Sequence, residues 1–293
     1  MMSLFSKLKR RFKFLKIFLK KKMEYSVIIN VKNGQKYLNR AVDQILNQTL
    51  LPKKIIIFNN ASIDNTNKLA NELKKKHPDL ILIKNSKNPL TLYAARNKAL
   101  SFAITKYVCF LDVDDIWQKS KSQTQINLFA QNPDAIICIS NYKKVFEYEF
   151  DKFKYSEEII NLEYAFSKNF FRFIKKYEIH FSSIMFDREK LISILGGEPF
   201  NPRLTILGDI ELFIKLFALN KLILSNQNLT YYVYHQTNTG YKNYHKITLE
   251  SIYIAFDLLL KLKIIRAFYI VYLYNYKYLL FLISKISLLI KKC

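Results

Sequence analysis

Apolar and polar positions change rhythm along this chain, and the changes divide it. Between residues 24 and 140, short apolar runs alternate with amphipathic stretches. SVIINV (26–31), Ile55 to Phe58, Leu80 to Ile83, YVCFL (107–111) and AIICIS (135–140) predict buried strands. Leu38, Ala41, Val42, Ile45 and Leu46 recur on one helical face. Ser62 or Asp64 can cap a second helix that runs through Lys76 and ends before Pro78. Residues 91–104 and 119–131 predict two more helices. Repeated β-α units of this length predict an α/β fold with a mainly parallel central sheet and helices on both faces. Ligands of such sheets bind beyond the carboxyl ends of the strands, so residues that follow strands are the ones to inspect.

Beyond residue 141 the alternation blurs. The pattern predicts a hairpin at 143–151, a helix near 160–176, a strand at SSIMF (182–186), a helix at 208–219 and a strand from Tyr231 to Tyr234. Residues 246–292 read as helical, aromatic-rich and basic. The resulting division is a basic amphipathic helix at 1–23, a main domain at 24–240 and a helical extension at 241–293. The main domain splits into halves at 24–140 and 141–240.

Half of the residues are hydrophobic, which excludes global disorder. Charge changes the picture at the ends. Lys+Arg number 47 against 23 Asp+Glu, a net +24, yet residues 1–23 and 258–293 contain no acid. Phe5, Leu8, Phe12, Leu15 and Leu19 form an apolar stripe edged by lysine and arginine. That pattern predicts a helix lying on an anionic membrane surface. The C-terminal stretch is strongly apolar but broken by Lys277 and Lys285, which suits an interfacial helix or one packed on the main domain. No run reaches the roughly 18 charge-free apolar residues of a membrane span. Cys109, Cys138 and Cys293 lack metal-ligand spacing and are odd in number, which fits a reducing compartment. With no secretory signal in the N-terminal pattern, the expected location is the cytoplasm, peripheral on the inner membrane face.

Chemistry concentrates at four places. FLDVDDIW (110–117) clusters Asp112, Asp114 and Asp115 just past a buried strand. Crowded carboxylates repel one another, and a hard divalent cation, Mg²⁺ or Mn²⁺, relieves them by taking oxygen ligands. The alternative is an acidic turn in which Asp115 caps the next helix. FNNASIDNT (58–66) offers Asn59, Asn60 and Asp64, groups suited to a base or ribose edge and equally to a capped turn. YAARNKAL (93–100) carries Arg96, which can pair with a phosphate, with Asp112, or with a packing partner. LGDIELFIKL (207–216) puts Asp209 at a helix start, where it suits the helix dipole or general-base work, with Glu211 the lesser alternative. His235 follows a predicted strand and could reach a phosphate or metal, although a structural hydrogen bond is the commoner use of a lone histidine.

Taken in order, these motifs resemble the family 2 glycosyltransferases of the GT-A fold. SVIINVKN (26–33) with ILNQT (45–49) is similar to the family's opening strand and helix. NNASIDNT (59–66) is similar to a DDGSTDNT-like turn, YAARN (93–97) to an SAARN-like helix start, and LDVDD (111–115) to the metal motif LDSDD. GDIELFIKL (208–216) is similar to an EDWDLWLRL-like helix that carries the base. The resemblance implies a nucleotide-diphospho-sugar donor held by Asn33, Asn59, Asn60, Asp64, Arg96, Asp112 and Asp114. It implies Mg²⁺ or Mn²⁺ on Asp112 and Asp114, and Asp209 as the catalytic base. In-line displacement at the sugar carbon would invert its configuration, and the acceptor would be a glycan or lipid-linked glycan of a cell surface.

Departures fall mainly at the base-binding end. Asn59 and Asn60 replace an Asp pair, Asn30 and Lys32 replace Pro and Tyr, and Gly208 replaces the Glu before the base. A catalytically degenerate relative and a basic non-enzymatic binding protein are the competing readings. No specific nucleic-acid motif is present. A nucleotidyltransferase would need a Gly-rich phosphate loop, which VKNGQ does not supply.

Overall fold

The computed structural model describes residues 23–149, 152–160, 179–217, 219, 221–235, 246–247 and 249–254. The amphipathic helix expected at 1–22, most of the helix expected near 160–176 and most of the C-terminal extension lie outside the described residues. The strands are β1 (Tyr25–Val31), β2 (Lys54–Asn59), β3 (Ile81–Asn85), β4 (Tyr107–Phe110), β5 (Ile116–Trp117), β6 (Ile137–Glu149), β7 (Lys152–Ile160), β8 (Ile184–Asp187) and β9 (Leu222–Tyr234). The helices are α1 (Leu38–Leu46), α2 (Thr66–Lys76), α3 (Leu92–Leu100), α4 (Lys121–Gln131), α5 (Arg188–Leu195) and α6 (Gly208–Phe217). A 3₁₀ turn, Phe181–Ser183, leads into β8.

The strands form one sheet in the order β3-β2-β1-β4-β8-β6-β9-β5, with β7 paired to β6. Strands β3, β2, β1 and β4 are mutually parallel, as repeated β-α units require. β8 runs antiparallel between β4 and β6 and joins the two halves of the sheet.

Period-two alternation sorts the β1 side chains between two cores. Val27, Ile29 and Val31 pack with Ala41 and Val42 of α1, Ala70 of α2 and Phe129 of α4. Ile28 packs on the opposite face with Tyr93 and Ala99 of α3 and Leu212 of α6. The helix carrying Arg96 and the helix carrying Asp209 therefore share one face of the sheet.

Several boundaries differ from the sequence pattern for physical reasons. α2 starts at Thr66, because Asp64 is spent on the backbone N–H and hydroxyl of Thr66 in a turn ahead of it. β6 and β9 each span 13 residues, and their parallel pairing continues past register shifts near Ser140 and Asn141. The polar SNQN stretch of β9 accompanies an irregularity in the ladder rather than the start of the strand. The expected hairpin exists as β6 and β7, with strands far longer than 143–151.

Candidate active site

The carboxyl ends of β1, β2 and β4 lie side by side in the sheet and carry Asn33, Asn59 and Asp112 in the segments that follow or finish them. Asn33 has φ +54°, a left-handed conformation that Asn tolerates better than most residues. Its Oδ1 accepts from Ile63 N at 2.9 Å, and its own N–H donates to Ser62 Oγ at 2.8 Å. Gly34 follows, where a Cβ would fall 2.3 Å from a Val31 methyl, so no larger residue fits this turn unchanged. Asp64 accepts from Gln35 N at 3.1 Å. Burial alone would raise the Asp64 pKa, but the hydrogen bonds from Thr66 and Gln35 outweigh it and hold the carboxyl below its ordinary value. Asn33 and Asp64 thus tie the first two strand-end loops together.

Asn59 and Asn60 are both buried. Asn59 donates to Asn85 Oδ1 at 3.1 Å and accepts from Ser62 N at 3.1 Å. Asn60 accepts from Leu90 N at 2.8 Å and donates to Leu90 O at 3.0 Å, so its carboxamide pairs with that residue's backbone as another peptide group would. Both amides use an acceptor and a donor at once, which a carboxylate could not do.

The three aspartates after β4 divide by environment. The Asp112 and Asp114 side chains remain 34% and 24% exposed, whereas that of Asp115 is 1% exposed. Asp115 does not cap the following helix. Its Oδ2 meets His180 Nε2 at 2.6 Å and accepts from Ser182 Oγ at 2.5 Å, and its Oδ1 accepts from Val233 N at 3.2 Å. Burial would lower the His180 pKa, but the adjacent Asp115 carboxylate, with Asp112 and Asp114 beyond it, raises it overall. Asp115 is therefore a structural anchor that ties β4, the 3₁₀ turn and β9 together beneath the two open carboxylates.

Arg96 Nη2 donates to Asp112 Oδ1 at 3.1 Å. Its guanidinium lies 3.6 Å from the Phe181 ring centroid, and Nε and Nη1 are buried without a hydrogen-bond partner. Its positive charge, buried beside an open carboxylate, favours an anionic ligand nearby. Asp114 Oδ2 meets His235 Nε2 at 2.8 Å, and the His235 ring stacks on Tyr37 at 5.5 Å. Arg40 holds this corner with Nη2 on Asp114 O at 2.8 Å and Nη1 on the buried Glu147 at 2.9 Å.

Asp209 stands at the start of α6, crowded by protein yet with part of its surface open. Its Oδ1 accepts from Ile210 N at 2.8 Å and lies 3.2 Å from Tyr93 Oη. Burial raises its pKa, and the Arg96 charge only partly offsets this. Glu211, the lesser alternative, is buried and bonded to Lys215 at 2.7 Å. Helix α3 links the two acidic centres, with Tyr93 reaching Asp209 and Arg96, one turn on, reaching Asp112. Glu250 braces the same region from the C-terminal side. Its carboxylate accepts from Thr205 N, Thr205 Oγ1, Ile206 N and Leu207 N at 2.6–3.0 Å. Tyr93 and Glu250 escape pattern reading because each works through a contact with a residue distant in sequence.

Among the described residues, no group of three His, Cys, Asp or Glu side chains forms a ready-made metal cage. Two partly open carboxylates suit the mode in which Mg²⁺ or Mn²⁺ is held by one or two protein oxygens and completed by substrate phosphates. Asp112 and Asp114 fit that role, since carboxylate oxygens suit Mg²⁺ and Mn²⁺.

An α/β sheet with open carboxylates past a central strand is a ligand-binding class of fold, and comparison with known proteins assigns the family. Residues 26–195 match the family described as Glycosyl transferase family 2, more than half of the chain, which belongs to that family. S. aureus TarS 1–349, crystallised with UDP-GlcNAc, superposes with a TM-score of 0.60 at 16% identity over 80% of this chain and 66% of that one. A Pyrobaculum calidifontis mannosyltransferase in complex with GDP-Man and Mn²⁺ gives 0.58 at 16% identity, over 79% of this chain and 62% of that one. These likenesses establish the GT-A fold. The E. coli UDP-Glc:α-D-GlcNAc-diphosphoundecaprenol β-1,3-glucosyltransferase WfaP is 34% identical over 117 residues, 40% of this chain and 45% of that protein. The chain spans less than half the length of the curated relatives it matches. Among the described residues, no helix is long and apolar enough to cross a membrane.

Proposed function

We propose that this chain is a metal-dependent, inverting glycosyltransferase acting on a cell-surface glycan or its lipid-linked precursor. The observation that carries the reading is the paired arrangement along α3, where Arg96 contacts Asp112 and Tyr93 contacts Asp209. An acidic centre open to a cation and diphosphate thus lies beside a carboxylate suited to taking a proton.

In this reading Asn33, Asn59 and Asp64 shape the nucleoside end, and Asn60 holds the Leu90 loop that frames it. Arg96 holds Asp112, and its positive charge attracts the diphosphate. Asp112 and Asp114 would hold a divalent cation, which would supply charge neutralisation for the departing diphosphate. Asp209 takes the proton of the acceptor hydroxyl as its oxygen attacks the anomeric carbon. The bond to the nucleoside diphosphate breaks on the opposite side, so the configuration inverts in one displacement. The acceptor class draws on WfaP, whose name specifies a diphosphoundecaprenol-linked sugar, together with the basic apolar ends of this chain.

The test is nucleotide release from a panel of UDP-, GDP-, CMP- and dTDP-sugars, with Mn²⁺ or with EDTA. One donor should turn over with metal, and Asp114→Ala should lower the rate by about 100-fold or more. Turnover unaffected by EDTA and by Asp114→Ala would remove the metal-dependent reading. Failure of every donor to bind would favour the degenerate relative, for which the internally bonded Asn59 and Asn60 are the relevant observation.

A further inference from the structure

Tyr93 and Gly208 are far apart in sequence and meet without spare room. A Cβ at position 208 would fall 2.6 Å from both Cδ2 and Cε2 of the Tyr93 ring and 2.7 Å from Cγ. Real Cβ atoms do not approach a ring so closely, so this ring position requires glycine at 208. The ring is 1% exposed and stacks on Phe200 with centroids 6.5 Å apart, while the Arg96 guanidinium lies 5.4 Å from its centroid. It is therefore held from several sides and cannot swing away cheaply. Its hydroxyl is 2.7 Å from Ile206 O and 3.2 Å from Asp209 Oδ1.

We propose that Tyr93 is the positioning residue for Asp209, and that Gly208 is present in this chain to admit its ring. The proposal rests on the reading of Asp209 as the base. One hydroxyl proton serves two acceptors in turn. With Asp209 ionised, Tyr93 donates to Oδ1, which leaves Oδ2 as the oxygen that faces the acceptor. Once Oδ2 has taken the acceptor's proton, Oδ1 is a weaker acceptor that keeps the Ile210 N–H, and Tyr93 turns its proton to Ile206 O. The hydroxyl thus satisfies both protonation states without moving the ring. This assigns a use to two positions where the chain departs from its family's motifs, Tyr93 in YAARN and Gly208 in GDIELFIKL.

Steady-state kinetics on five variants, one of them the Tyr93→Ser/Gly208→Ala double, provide the test, with melting curves as a check on folding. Tyr93→Phe keeps the ring and removes only the hydroxyl, so kcat should fall about 10-fold or more, with donor KM and the melting temperature near wild type. Gly208→Ala should lower kcat strongly in the wild-type background and add nothing in a Tyr93→Ser background, because the clash needs the ring. An unchanged kcat in Tyr93→Phe, or an equal Gly208→Ala penalty in both backgrounds, would overturn the proposal. Asp209→Asn separates this from failure of the underlying reading. If Asp209→Asn abolishes transfer while Tyr93→Phe is silent, the positioning role alone is wrong. If Asp209→Asn turns over at the wild-type rate, the base assignment and the positioning role both fall.

Discussion

For Asp209, burial and hydrogen bonding pull in opposite directions, and the balance has a kinetic consequence. Burial raises the pKa, Asp112 adds to the rise, and Arg96, the Ile210 N–H and the Tyr93 hydroxyl act against it, with a net upward shift. A base works only when ionised, so the rate should rise with pH through this raised value and fall as pH drops below it. The acid limb of the kcat profile should therefore lie above the ordinary aspartate value of about 4. A profile already flat at about pH 4 would contradict the burial argument. The neighbouring carboxylates show what a sequence does and does not disclose about single side chains. Asp112, Asp114 and Asp209 stand out as candidates in the sequence because they follow a strand or open a helix, and the ligands of such sheets bind past the strand ends. Asp115, adjacent to Asp114, gave no sign that it would be buried against His180 and Ser182, since those partners lie 65 and 67 residues away. Tyr93 was hidden for the same reason: its contact with Asp209 crosses 116 residues.

Segments impose their own demands on the site. The stretch Thr205–Leu207 that feeds α6 has its backbone N–H groups collected by one carboxylate, that of Glu250. Glu250→Ala would strip three N–H groups and a hydroxyl of their acceptor and should cost about 2–3 kcal/mol of stability. A shifted urea midpoint would register this, and Glu250→Gln, which keeps one acceptor oxygen, should cost less. An unchanged midpoint in Glu250→Ala would mean that water replaces the carboxylate without loss. Strands β1 to β4 and the helices between them were legible from periodicity, because parallel strands covered on both faces read as continuous apolar runs. Beyond residue 141 the strands carry polar interruptions. In β9 the SNQN segment breaks the apolar alternation, yet pairing with β6 continues across the irregularity. Hence Tyr231 to Tyr234 was visible in the sequence while Leu222–Thr230 was not.

The whole chain carries a net +24, with acid-free segments at both ends. Basic residues flanking an apolar stripe are drawn to anionic lipid by about 1 kcal/mol each near the surface, so the N-terminal 22 residues should contribute measurably to membrane attachment. Removing residues 1–22 should shift the protein toward the soluble fraction and reduce co-sedimentation with anionic vesicles. Unaltered sedimentation would transfer that role to the C-terminal segment or dismiss it. A membrane-surface position would also bring the catalytic domain to a lipid-linked acceptor, so the same truncation should depress transfer to such acceptors more than donor hydrolysis. Metal-dependent transfer itself turns on the acidic centre past β4. Its most direct test is nucleotide release by the intact protein across the sugar-nucleotide panel, comparing wild type with Asp114→Ala in Mn²⁺ and in EDTA. Release should come from one donor, depend on metal and be lost in the variant. Equal release from both proteins, with or without metal, would contradict it.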